Sequence, residues 1–121
     1  MKLILITGGS KGLGKSLVEQ YLEDGFEVVE FSRSGQSKSH VSCDFSQPEG
    51  AAAIMEKKIS TLAQQKYSEV ILINNVSTLD PIGPIADFSP AEWLNHINIS
   101  FSSVVVTSGI FMKHFQSHDC K

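Results

Sequence analysis

The chain has few cysteines, no long apolar run, no excess of positive charge and no repeat, and each shortage closes off a class of function. Its two cysteines, Cys43 and Cys120, stand far apart and match no metal-ligand spacing. A disulfide framework and a cysteine-built metal site are therefore not expected, and a reducing, cytoplasmic setting fits best. No stretch approaches the roughly 20 apolar residues that a membrane span needs. The apolar start, Leu3 to Ile6, is too short for the core of a signal peptide and runs straight into Thr7-Gly8-Gly9. Ten Lys and Arg against thirteen Asp and Glu give a net charge of −3. The basic residues are also scattered, which argues against a nucleic-acid or anionic-membrane partner. There remain 121 residues, 41% hydrophobic and 19% charged, enough for one soluble globular domain.

Apolar strands alternate with amphipathic helices along the chain. Leu3 to Ile6 reads as a strand buried on both faces. Leu13, Leu17, Val18, Tyr21 and Leu22 recur at helical spacing, and Gly25 is a natural helix stop. Phe26 to Phe31 reads as a second strand, Gly35 to Ser39 as a loop, and His40 to Cys43 as a short third strand. Ser46-Gln47-Pro48-Glu49 has the spacing of a capping box, opening a helix that runs to about Lys66. Val70 to Ile73 is a fourth strand, followed by a loop over 76–88. A second capping box, Ser89-Pro90-Ala91-Glu92, opens a last helix carrying Leu94, Ile97, Phe101, Val104, Val105, Phe111 and Phe115. This order predicts an α/β fold with a parallel sheet covered on both faces. Between Arg33 and His40 the dozen or so residues of a normal parallel crossover are not available, so an abbreviated link is expected.

The loop Thr7-Gly8-Gly9-Ser10-Lys11-Gly12-Leu13-Gly14-Lys15-Ser16 joins a buried strand to a helix N-terminus. Unpaired amides and the helix dipole favour an anion there by roughly 0.3–1 kcal/mol, and glycines admit a phosphate where a Cβ would collide. Two ligands fit. Gly9 to Ser16 satisfies G-x-x-x-x-G-K-[ST], the pattern of a P-loop, which also needs an acid to hold magnesium. The strand that should supply it ends in Asn74-Asn75. Counted from Thr7, the same residues read Thr-Gly-x-x-x-Gly-x-Gly.

That second reading resembles the cofactor loop of the short-chain dehydrogenase/reductase family, and four further matches follow in order. The second strand finishes Phe31-Ser32-Arg33 with no acid at its tip, where NAD sites place a carboxylate and NADP sites a cation. The resemblance puts Ser32 in place of the acid, with Arg33 and Lys11 meeting a 2′-phosphate; Glu30 is the rival acid. Asp44-Phe45 resembles the pair that meets the adenine amino group and ring. Asn74-Asn75-Val76-Ser77 resembles the family's Asn-Asn-Ala-Gly, with Ser77 replacing glycine and Val76 adding bulk. There the first Asn ties strands together and the next residues line the groove. Asn98 corresponds to the catalytic asparagine that bends its helix and holds a water of the proton relay. The resemblance spans residues 3 to about 115.

It implies a Rossmann-type doubly wound parallel sheet, incomplete at four strands in the order 3-2-1-4. It implies NADP(H) as cofactor, held by Gly8, Ser10, Lys11, Gly12, Leu13, Gly14, Ser32, Arg33, Asp44, Phe45, Asn75, Val76 and Ser77, and no metal. The reaction implied is carbonyl reduction by hydride transfer, with a vicinal diketone suggested by likeness to sepiapterin-reductase-like and benzil-reductase-like members. A homodimer or tetramer through the 89–116 helix is expected. The family's proton donor is a tyrosine with a lysine four residues later, but Gly25 follows Tyr21 at that spacing and Ile71 follows Tyr67. Residues 1–121 are therefore expected to be a cofactor-binding fragment, inactive alone, of a longer reductase.

Overall fold

The computed structural model describes residues 1–119, so Cys120 lies outside the described residues. Strand β1 (Lys2–Thr7) leads through the glycine turn to helix α1 (Gly12–Glu23), then to β2 (Glu27–Ser32) and the short β3 (His40–Ser42). Helix α2 (Pro48–Leu62) precedes β4 (Glu69–Asn74); a 3₁₀ turn (Ile85–Asp87) then leads to α3 (Pro90–Ile97), a π turn (Asn98–Ser102) and α4 (Ser103–His114). The four strands form one sheet in the order β3-β2-β1-β4, and every pair is parallel. Leu5 of β1 stands between Val29 and Leu72, so β1 is paired along both of its edges.

Alternation along the strands divides the core in two. Leu3, Leu5, Val29, Phe31 and Val70 face α2 and α4, meeting Met55, Ile59, Phe111 and Phe115. Ile4, Ile6 and Val28 face the opposite way, toward Val18 of α1. Leu3 through Ile6 are fully buried, as a central strand covered on both faces requires. No helix among the described residues is long and apolar enough to cross a membrane.

Local chemistry explains where elements begin and end. Gly25 ends α1 with φ +83°, a left-handed conformation that suits glycine. The box at Ser89 forms: its hydroxyl accepts the Glu92 N–H, and the Glu92 carboxylate reaches back to the Ser89 N–H. The box expected at Ser46 does not form. Helix α2 starts one residue later, with Gln47 at the cap, and the N–H and hydroxyl of Ser46 turn back to Asp44 Oδ1. Helix α2 also stops at Leu62, four residues before the expected Lys66. The link after β2 contains no helix, in keeping with its length.

The last helix expected over 89–116 runs without a gap from Pro90 to His114, its α pairing interrupted only by the π turn that begins at Asn98, where a bend was expected. Ser100 holds this turn: its Oγ accepts the Thr78 N–H at 3.0 Å and donates to the Thr78 carbonyl at 3.3 Å. Ser103 adds a hydroxyl bond to the Ile99 carbonyl at 2.6 Å, the backward bonding by which serine bends helices.

Candidate functional site

The parallel sheet brings the C-terminal ends of β1, β2 and β4 to one side, and a groove of about 290 Å³ opens there. Its first wall is the glycine turn. Gly8 has φ +72° and donates its N–H to the Phe31 carbonyl at 2.8 Å, which locks the turn to the end of β2. A Cβ on Gly8 would lie 3.1 Å from Val76 Cα, so glycine permits the turn to press against the chain after β4. Gly12 is also left-handed at φ +54°, but a Cβ there would meet nothing within 4 Å. Lys11, at the helix cap, gives no side-chain acceptor. The first-turn amides of Gly12, Leu13 and Gly14 therefore keep their capacity for an anion.

Thr7 and Asn75 join the two walls. The Thr7 hydroxyl, fully buried, accepts the N–H groups of Asn75 at 3.0 Å and Val76 at 3.1 Å. Asn75 Nδ2 in turn donates to the Gly8 carbonyl at 3.0 Å. The tie expected of the first asparagine is thus made by the second, and Asn74 Nδ2 reaches Ser108 of α4 instead. Asn74 ends β4 with its side chain on the α4 side, which leaves Asn75 as the residue facing the turn. Thr7→Val keeps the shape of the side chain but leaves two amides without an acceptor. It should lower stability by about 2 kcal/mol, read as the shift in urea unfolding midpoint against wild type; an unchanged midpoint would discount the clip.

The second wall is the end of β2 and β3. Ser32, Arg33 and Asp44 line the groove with Phe45, opposite Ser10 and Lys11. Asp44 Oδ1 accepts the Ser46 hydroxyl at 2.7 Å and the Ser46 N–H at 2.9 Å. These bonds, helped by the nearby Arg33 charge, hold the carboxyl below the usual carboxylate range. Asp44 is therefore an acceptor at neutral pH. Cys43 also borders the groove, but burial and the neighbouring Asp44 push its thiol up to about 11, so it stays protonated and unreactive. Asn75, Val76 and Ser77 form the floor on the β4 side, where Ile99 closes the groove from the π turn.

The groove therefore gathers ten of the expected cofactor residues, with Gly12, Leu13 and Gly14 behind it at the helix start. Asn98 is not among the lining residues; it lies toward α2, beside Phe45, Pro48 and Met55. Glu30, the rival acid, is 2% exposed and turned away from the groove, bordering a separate cavity behind the 34–37 link. Neither tyrosine reaches the site. Tyr21 packs edge-on against Phe26, and Tyr67 donates to Glu27 at the opposite end of the sheet, its phenol pushed far up by burial and that carboxylate.

The P-loop alternative loses its two functional side chains. Ser16 Oγ donates into its own helix, to the Gly12 carbonyl, and Lys15 borders the cavity behind the link, not the groove. Among the described residues no cluster of acids, histidines and cysteines is arranged for a metal. Sequence reasoning missed Thr7 as a clip and Ile99 as a wall. A threonine ending an otherwise apolar buried strand was a readable signal for the first; nothing marked the second.

The chain matches the family model described as short chain dehydrogenase over residues 2–120. It is 34% identical over 126 residues to benzil reductase ((S)-benzoin forming) of Bacillus subtilis (strain 168), covering 100% of this chain and 52% of that protein. A protein of the same description from Bacillus cereus is 27% identical, with 94% of this chain and 51% of the other covered. The chain thus spans about half the length of the curated relatives it matches. A short-chain dehydrogenase/reductase from Burkholderia vietnamiensis superposes with a TM-score of 0.89 at 26% identity, over 98% of this chain and 62% of the other. With the glycine turn, the sheet order and this match over nearly every residue in agreement, the chain belongs to the short-chain dehydrogenase family.

Proposed function

We propose that residues 1–121 are the NADP(H)-binding part of a reductase that passes hydride from the nicotinamide to a carbonyl carbon, leaving an alcohol. The observation that carries this reading is the meeting of the glycine turn with a β2 tip that offers Arg33 while its nearest strand acid, Glu30, is buried behind. The amides of Gly12, Leu13 and Gly14 would hold the pyrophosphate, Lys11 and Arg33 the 2′-phosphate, and Asp44 with Phe45 the adenine. Asn75, Val76 and Ser77 would lead toward the nicotinamide end. When bound, the cofactor supplies the hydride. The proton donor comes from outside this segment, since neither tyrosine here borders the groove.

The two benzil reductases among the relatives support a vicinal diketone as substrate class. Leu94, Phe101 and Val105 stand exposed along α3, the π turn and α4, which supports subunit pairing through this region into a dimer or tetramer. Calorimetric titration of the intact protein with NADPH, NADH and Mg-ATP tests the cofactor assignment. NADPH should bind at least about tenfold more tightly than NADH, a difference of about 1.4 kcal/mol, and Mg-ATP should give no saturable signal. Tight Mg-ATP binding would overturn the reading.

A further inference from the structure

Glu30 is a carboxylate set inside the sheet, 2% exposed, where an unpaired charge is costly. All its partners crowd one oxygen. His40 Nδ1 lies 2.5 Å from Oε1, and the Ser32 hydroxyl donates to the same atom at 3.2 Å. Oε2 has no hydrogen-bond partner among the described residues. On the far side of the imidazole, the Gly35 N–H donates to His40 Nε2 at 3.3 Å. An amide can only donate, so Nε2 accepts and the ring proton sits on Nδ1, facing Glu30. The result is a directed chain from the Gly35 amide through the imidazole to the buried carboxylate. A Cβ on Gly35 would lie 2.5 Å from both Glu30 Oε1 and His40 Nδ1, so the chain closes only because residue 35 is glycine.

What this chain holds is the crest that carries Arg33. On one side of the crest, the Ser32 carbonyl accepts the Cys43 N–H at 2.8 Å while its hydroxyl rests on Glu30. On the other side stands Gly35, tied to His40. Arg33 and Ser34 lie between and border the cofactor groove. Behind them a cavity of about 490 Å³ opens between the link and α1, bordered by Ser34, Gly35, Gln36 and Ser37. The far end of the link is held to the sheet by backbone bonds, Glu30 N–H to the Ser39 carbonyl at 2.8 Å and His40 N–H to the Ser37 carbonyl at 3.2 Å, so the bond from Gly35 to the His40 ring is the tie nearest to Arg33.

We infer that Glu30 and His40 are positioning residues for cofactor choice: a buried latch that holds Arg33 against the groove and so sets affinity for the 2′-phosphate. This rests on the NADP(H) reading above and deepens it. NADPH and NADH share every contact except those to the 2′-phosphate, so a loosened crest weakens NADPH alone. A merely structural role would weaken both.

The test uses the intact protein, titrated with NADPH and NADH as wild type, His40→Leu and His40→Gln. His40→Leu should weaken NADPH about fivefold to tenfold, the worth of about one net hydrogen bond, and leave NADH within about twofold. His40→Gln, which can accept from Gly35 and donate to Glu30, should recover most of the loss. Should His40→Leu fail to fold, nitrogen NMR of the wild-type histidines supplies the second reading. His40 should show a protonated Nδ1 and an unprotonated Nε2, and its signals should move on adding NADPH but not NADH. Equal loss of both cofactors, no loss of either, or the opposite tautomer overturns the latch. A wild type with no preference for NADPH overturns the cofactor reading and the latch together, whereas a preference that survives His40→Leu unchanged overturns the latch only.

Discussion

Gly14→Ala should cost the protein about 3 kcal/mol of stability, the upper end of overpacking, and remove measurable nucleotide binding. On helix propensity alone the change should help, since alanine exceeds glycine by roughly 1 kcal/mol inside a helix. Space decides the other way. A Cβ at residue 14 would stand 2.0 Å from the Gly8 carbonyl oxygen and 2.6 Å from Asn75 Nδ2. Those atoms are bonded to each other, at 3.0 Å, and they close the glycine turn onto the end of β4. The new methyl must therefore separate the helix from the turn or break the Asn75 bond, and either movement misplaces the first-turn amides. Gly12→Ala is the matched control. Its Cβ meets nothing, so the cost is only that of a left-handed alanine, about 1–2 kcal/mol. Urea unfolding with NADPH fluorescence titration of both variants reads the difference. A Gly14→Ala protein as stable as wild type would mean the turn can open without penalty.

The same pair of glycines shows what sequence reasoning could and could not reach. Spacing alone located the turn, because a loop between an apolar strand and a helix start must leave amides unpaired. It did not separate Gly12, which leaves open space, from Gly14, which touches two other segments. That distinction depends on Asn75, 61 positions away in sequence and visible only once β1 and β4 are paired. The continuous burial of β1 was legible because a parallel strand covered on both faces has to be apolar throughout, while the sheet order came from the family resemblance.

Hydroxyl groups with more than one possible partner were not legible. Ser46 had the spacing to cap a helix, yet its N–H and hydroxyl both turn back to Asp44 Oδ1, two residues earlier, and the helix begins after Gln47. Ser100 carried no signal in sequence, although its two bonds to Thr78 hold the π turn in the last helix. Glu30 stood out as an acid close to the ribose end of β2. Its real partner, His40, lies across a link whose path sequence could not specify.

Arg33→Asp should lower NADPH affinity at least about a hundredfold, near 2.7 kcal/mol, while NADH binding holds or improves. The guanidinium stands at the rim of the groove, exposed, beside Asp44 and across from Lys11. Replacing it removes one positive charge and adds one negative, both acting on the same phosphate. At about 4 Å a unit-charge pair near a protein surface interacts by roughly 4 kcal/mol, less what salt screens, so a hundredfold loss needs only part of that change. NADH carries hydroxyls where NADPH carries the phosphate, and a carboxylate at the β2 tip can accept both of them. Stability should scarcely move, because Arg33 is exposed and its attraction to Asp44 is a surface one. Lys11→Ala gives an intermediate case, losing NADPH about tenfold, since it deletes a charge without reversing one. Salt separates the contributions: the preference of the wild type for NADPH should shrink as ionic strength rises, and that of Arg33→Asp for NADH should shrink only by its charge-repulsion part, the hydroxyl bonds to the carboxylate remaining. If NADPH and NADH fall together in Arg33→Asp, the guanidinium is a support for the β2 tip and not a reader of the phosphate.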